Sequence, residues 1–69
     1  MNASREEIYD HMQDLVGDAL ADRRGLPSMT FLAEEACDYF GDFQGPEAHI
    51  PEMYFEVAYE VIQEYEEED

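Results

Sequence analysis

Ile50-Pro51-Glu52-Met53-Tyr54-Phe55-Glu56-Val57-Ala58-Tyr59-Glu60-Val61-Ile62-Gln63-Glu64-Tyr65 is the stretch that decides the fold. Ile50, Met53, Tyr54, Val57, Ala58, Val61, Ile62 and Tyr65 recur at intervals of three and four, the spacing that lays an apolar stripe along one side of an α-helix. Pro51 suits a first helical position, because its missing N–H is one the helix leaves unbonded anyway. The pattern predicts a third helix over about 50–66. The terminal run Glu66 to Asp69 places negative charge where a helix C-terminus disfavours it, so 66–69 is expected to fray.

Working back, Ser4-Arg5-Glu6-Glu7 fits a capping box, in which the Ser4 hydroxyl and the Glu7 carboxylate satisfy free N–H groups at the start of a helix. Ile8, Met12, Leu15, Val16, Ala19 and Leu20 continue it as one stripe. Arg23 and Arg24 suit the last turn, Gly25 the left-handed stop and Pro27 the barrier beyond, which gives helix one about 4–24. Ser28 or Thr30 caps the second helix. Met29, Leu32, Ala33, Ala36 and Phe40 keep helical spacing until Gly41, giving about 29–40. Asp42 to His49 contains Gly45-Pro46 and reads as a loop with room for a short extended piece. The expected architecture is all-α, a compact three-helix bundle forming a single domain over 1–69.

Charge is the unusual quantity. The 69 residues hold 19 Asp and Glu against three Arg and no Lys, a formal net charge of −16, while apolar residues make up 45% and are enough for one core. Such a surface repels nucleic acid and anionic membranes, and its natural partners are basic. Those are found on proteins that neutralise phosphates with Lys and Arg. No basic leader or long apolar run is present, so neither a signal peptide nor a membrane span is expected, and a reducing cytoplasm fits the single Cys37. Cys37 reads as a small core residue.

The carboxylates are ordered. Helix one carries Glu6, Asp10, Asp14, Asp18 and Asp22; helix two carries Glu34 and Asp38, with Asp42 just past its end; helix three carries Glu52, Glu56, Glu60, Glu64 and Glu68. Steps of four place side chains one above another, roughly 6 Å apart along the axis. Like charges at this spacing destabilise by about 0.2–0.5 kcal/mol per pair. With four pairs in helix one, two in helix two and four in helix three, the total is roughly 2–5 kcal/mol. A chain of this length has a stability on the order of 3–10 kcal/mol, so the repulsion is comparable with the whole margin.

Two readings account for such ladders. In one, Asp10, Asp14, Asp18, Glu34, Asp38, Glu52, Glu56, Glu60 and Glu64 imitate a phosphate backbone, whose charges lie roughly 6–7 Å apart along the strand, and occlude the groove of a nucleic-acid-binding protein. In the other they are a solvated face, as in a halophile-adapted structural or adaptor protein. An antitoxin-like binder of a basic toxin shares the electrostatics of the first. Catalysis finds no support: Ser4, Ser28 and Thr30 serve as caps, no phosphate loop is present, and His11 and His49 lack metal-ligand spacing, so neither metal nor cofactor is expected. Phe55 and Tyr59 pack against helix two in the plainer reading and anchor a partner in the sharper one.

A short, acidic, Lys-poor helical chain carrying Asp10-Asp14-Asp18 and Glu52-Glu56-Glu60 resembles the small phage-encoded inhibitors that imitate DNA. Among these, the anti-CRISPR proteins aimed at type I Cascade complexes are nearest in size. The resemblance lies in size and charge layout over the whole chain. It implies a non-enzymatic inhibitor in the host cytoplasm that blocks the DNA-binding surface of a defence complex, possesses no nucleic-acid affinity of its own, and works through the ladder residues. Circular dichroism separates mimic from halophile: the mimic is helical at about 0.15 M salt, whereas a helical signal that develops only in molar salt would favour the halophile.

Overall fold

The computed structural model describes residues 3–67. The first helix, α1, spans Arg5–Ala21 and opens with both halves of the capping box: Glu7 N–H donates to Ser4 Oγ at 3.2 Å, and Ser4 N–H donates to Glu7 Oε1 at 3.1 Å. The second, α2, spans Met29–Phe40; Ser28, not Thr30, is its cap, accepting from Phe31 N–H at 3.1 Å. The third, α3, spans Glu52–Glu67 and follows directly on Pro51. Glu66 and Glu67 are helical, and the fraying expected at Glu68 and Asp69 lies outside the described residues.

The stripes meet in one core. Ile8, Met12 and Val16 from α1, Leu32, Ala33, Ala36 and Cys37 from α2, and Tyr54, Val57, Ala58 and Val61 from α3 are fully buried. The α2–α3 interface is the largest of the three. Arg5 pairs with Glu60 near the start of α1, and Tyr65 reaches Gln13 further along, so α1 and α3 run in the same direction. Between α2 and α3, Gln44 and His49 exchange two backbone hydrogen bonds of 2.8 Å across a tight turn, the short extended piece the loop had room for. His49 is thereby committed to the turn through its backbone.

α1 stops three residues earlier than its sequence suggests. Arg23 N–H bonds to the Leu20 carbonyl at 3.1 Å and Arg24 N–H to the Ala19 carbonyl at 2.9 Å. This is a Schellman closure, with Arg23, at φ 59°, in the left-handed position usually given to glycine. Arg23 and Arg24 therefore lie beyond the last turn, and Gly25 is not the stop. The reason is packing. Ala19 is the last buried residue of α1, and Leu26 must fold back onto the core. A longer helix would carry Asp22, Arg23 and Arg24 into solvent with nothing apolar to hold them. The corresponding site on α2 is occupied by Gly41 at φ 67°, as expected.

Asp42 is the second departure. It is not the outward end of the α2 ladder but the one buried acid among the described residues. Its Oδ2 accepts from the Tyr54 hydroxyl and, at 3.1 Å, from the Ala3 N–H. A core tyrosine needs an acceptor for its hydroxyl, and a buried carboxylate needs donors, so each satisfies the other while tying together the α2 terminus, α3 and the segment before α1.

Two outcomes follow for stability. A non-glycine residue in the left-handed region costs roughly 1–2 kcal/mol, so Arg23→Gly should stabilise the protein by about 1 kcal/mol in urea denaturation. Tyr54→Phe leaves the buried Asp42 short of a donor and should cost about 1–3 kcal/mol. Burial first, then the bond to Asp42 and its charge, raise the Tyr54 pKa above the ordinary 10.0. Stability tied to the neutral phenol is thus complete below about 10 and is lost as pH rises from there through the higher folded-state value. Denaturation series from neutral to alkaline pH should show that loss in the parent protein and lack this contribution in Tyr54→Phe.

Candidate acidic interface

The ladder positions follow from helical phase. At 100° per residue, Asp10 lies opposite the Ile8, Met12 and Val16 side of α1, and Asp14 and Asp18 drift from there without reaching the core. Glu34 and Asp38 stand in the same relation to Leu32 and Ala36 on α2. On α3, Glu52, Glu56 and Glu60 lie away from Tyr54, Val57 and Val61, and Glu64 approaches the core edge. All nine side chains are exposed.

The ladders are shorter than the sequence spacing implies. Asp22 lies past the end of α1, where it caps the helix and pairs with Arg24 at 3.4 Å. Asp42 is buried, and Glu68 lies outside the described residues. Three like-charge pairs remain within α1, one within α2 and three within α3. Their repulsion is roughly 1.4–3.5 kcal/mol, still a large part of the stability of so small a domain.

Compensation falls on one ladder only. Arg5 Nη2 lies 2.9 Å from Glu60 Oε2, and Nη1 lies 3.5 Å from Glu56 Oε1. Glu60 and then Glu56 hold the guanidinium in its charged form, raising the Arg5 pKa. Both sides of these pairs are about half exposed. Among the described residues, no ion pair engages Asp10, Asp14, Asp18, Glu34, Asp38, Glu52 or Glu64.

Aromatic groups interrupt the charge at two places. His11 on α1 stacks on Tyr39 of α2 with ring centroids 4.1 Å apart, and Phe40 meets both rings edge-on. The stacked residues directly follow Asp10 and Asp38 in the chain, and His11 is occupied as a packing residue. Phe55 packs against the core, as the plainer reading has it, whereas Tyr59 is 57% exposed. Met29, read as part of the α2 stripe, is 39% exposed. Together with Phe55 and Tyr59 it lines a groove of about 450 Å³ whose rim is Glu52, Glu56, Glu60 and Arg5.

Among the described residues, no group of three or more His, Cys, Asp or Glu is placed to hold a metal ion. Cys37 is fully buried, and burial, followed by the charge of Asp42, pushes its thiol pKa up, away from the nucleophilic thiolate. No helix among the described residues is long and apolar enough to cross a membrane. No family model, curated protein or solved structure matches the chain.

Proposed function

We propose that this protein is a non-enzymatic inhibitor that presents its carboxylate ladders to the phosphate-binding surface of a nucleic-acid-binding protein and excludes the nucleic acid. The class of target favoured by size and charge layout is a host defence complex such as a type I Cascade. The observation that carries the reading is the exposure of all nine ladder carboxylates on helical scaffolds, seven of them without a cationic partner among the described residues.

The physical argument has three steps. Helical geometry sets the carboxylates roughly 6 Å apart along each axis, near the spacing of phosphates along a strand. The net charge of −16 draws a basic surface in from a distance and raises the encounter rate. At contact, carboxylates and arginines form charge-assisted, often bidentate hydrogen bonds, stronger than neutral ones. Because the acids are already exposed on formed helices, little further ordering of the backbone is needed on binding.

The test uses labelled duplex DNA bound to a purified Cascade complex, displaced by this protein and followed by anisotropy. Glu52→Lys, Glu56→Lys and Glu60→Lys are combined with Arg5→Glu, which keeps the ion pairs with their signs exchanged. A companion variant carries Asp10→Lys, Asp14→Lys and Asp18→Lys. Like-charge juxtaposition costs several kcal/mol at an interface, so whichever ladder makes contact should lose about a hundredfold or more in affinity. Displacement by the parent protein should also weaken steeply with added salt. Undiminished displacement by both variants, with helical circular dichroism retained, would overturn the reading.

A further inference from the structure

We propose that the groove beside Tyr59 is a docking site for a basic amphipathic helix of a partner protein. This goes beyond phosphate mimicry, since the groove is specified by its apolar floor and does not require that the partner bind nucleic acid. Met29, Phe55 and Tyr59 form that floor, and Met29 and Tyr59 remain substantially exposed although the protein has a core in which apolar atoms can be buried. A second cleft of about 390 Å³ adjoins it, sharing Tyr59 and Glu60 and adding Tyr9, Gln63 and Glu64. The two hollows flank Tyr59 and Glu60, and their combined α3 lining, taken as one trough, runs from Glu52 to Glu64, roughly 18 Å by helical rise.

The chemistry of the trough identifies its occupant. Its floor takes apolar side chains. Its rim carries Glu52, Glu56, Glu60 and Glu64, and the one cation on it, Arg5, is half exposed and already turned to Glu56 and Glu60. A purely cationic ligand would leave the apolar floor uncovered, and a purely apolar one would leave the carboxylates unpaired. A helix with Leu-type residues on one side and Lys or Arg beside them matches both. Cations four residues apart on that helix advance by the same rise as Glu52, Glu56 and Glu60, so successive turns of the two helices stay in register. A second copy of the same chain is disfavoured as occupant by its own net charge of −16.

The experiment compares three labelled peptides of about 12 residues, the length that spans the trough. One carries Leu at helical spacing with Lys elsewhere. The second has the same composition scrambled so that no stripe forms. The third is oligolysine of equal charge. Burial of even one large apolar side chain supports a preference of about tenfold in Kd, so the first peptide should bind about tenfold or more tighter than the other two, and should retain binding at molar salt where oligolysine loses it. Met29→Ser with Tyr59→Ser should abolish the preference while leaving oligolysine binding unchanged, and Tyr59→Ser alone should reduce it, with circular dichroism reporting that each remains folded.

Equal binding of all three peptides within about twofold, a preference that survives the double variant, or sedimentation as a dimer that excludes the peptide would each overturn the proposal. Its fate is separable from that of phosphate mimicry. DNA displacement that is undiminished in the double variant, with no peptide preference, removes the groove and leaves mimicry. Peptide preference without any DNA displacement removes mimicry and leaves the groove.

Discussion

Mutual repulsion among carboxylates is the constraint to which the rest of this fold answers. With a net charge of −16 on 69 residues, every helix that forms brings like charges within one turn of each other, and a core of eleven fully buried side chains has to outweigh that cost. The arrangement minimises what can be minimised. The ladder acids of α1 and α2 are exposed, on the sides of their helices away from the core, where water and salt screen them. Two of the three arginines are placed against carboxylates. Arg5 is placed against Glu56 and Glu60, where α1 and α3 approach, and Arg24 turns back on Asp22 beyond the end of α1. The remaining ladder positions receive no relief among the described residues.

The buried acid shows the same economy from inside. Asp42 removes one carboxylate from the surface, but it can do so only because Tyr54 and the Ala3 backbone supply donors. That exchange converts a charge that would have extended the α2 ladder into a tie between the end of α2, α3 and the N-terminal segment. The tie sits beside Cys37, whose thiol it helps keep protonated. An apolar residue at position 42 would ease the electrostatics and leave the Tyr54 hydroxyl without its acceptor, so the two groups are coupled in their contribution to stability.

Much of the fold is legible in the amino-acid sequence. The capping box at Ser4 and Glu7, and Gly41, are local signals, decided by interactions within a few residues, and appear where the sequence places them. The stripe ending at Tyr65 yields α3, which opens at Glu52, so that Ile50 and Pro51 precede the helix instead of starting it. What spacing does not reveal is non-local. α1 ends at Ala21 because Leu26 returns to the core, a fact that no i,i+4 pattern contains. Asp42 is buried because Tyr54, twelve positions away, needs an acceptor; the available signal is a hydroxyl-bearing residue inside an apolar stripe. For the candidate surface, helical phase accounts for the exposure of the ladder acids on α1 and α2 and of Glu52 and Glu56, while Glu64, which phase brings toward the core edge, is exposed as well. The pairing of Arg5 with Glu56 and Glu60 depends on how α1 packs on α3, and the groove depends on Met29 leaving its stripe, so neither can be read from spacing.

Charge and apolar contact act over different distances, and that difference would give the ladders and the trough distinct roles in the two proposals. Exposed charges are felt to about a Debye length, roughly 8 Å at physiological ionic strength, so in the proposed function the ladders would govern which partners approach and how quickly. They discriminate poorly among basic surfaces, because Coulomb attraction is not directional. Apolar contact is short-ranged and shape-dependent, so Met29, Phe55 and Tyr59 would contribute to the proposed complex only after docking, through its lifetime. Arg5 stands between the two. By engaging Glu56 and Glu60 in the free protein it lowers their repulsion, and it also sets a threshold that an incoming cation must exceed before it can take those carboxylates. A weakly basic surface would gain little by displacing it, whereas an arginine carried on a helix whose apolar face is already seated would have that exchange assisted by the groove.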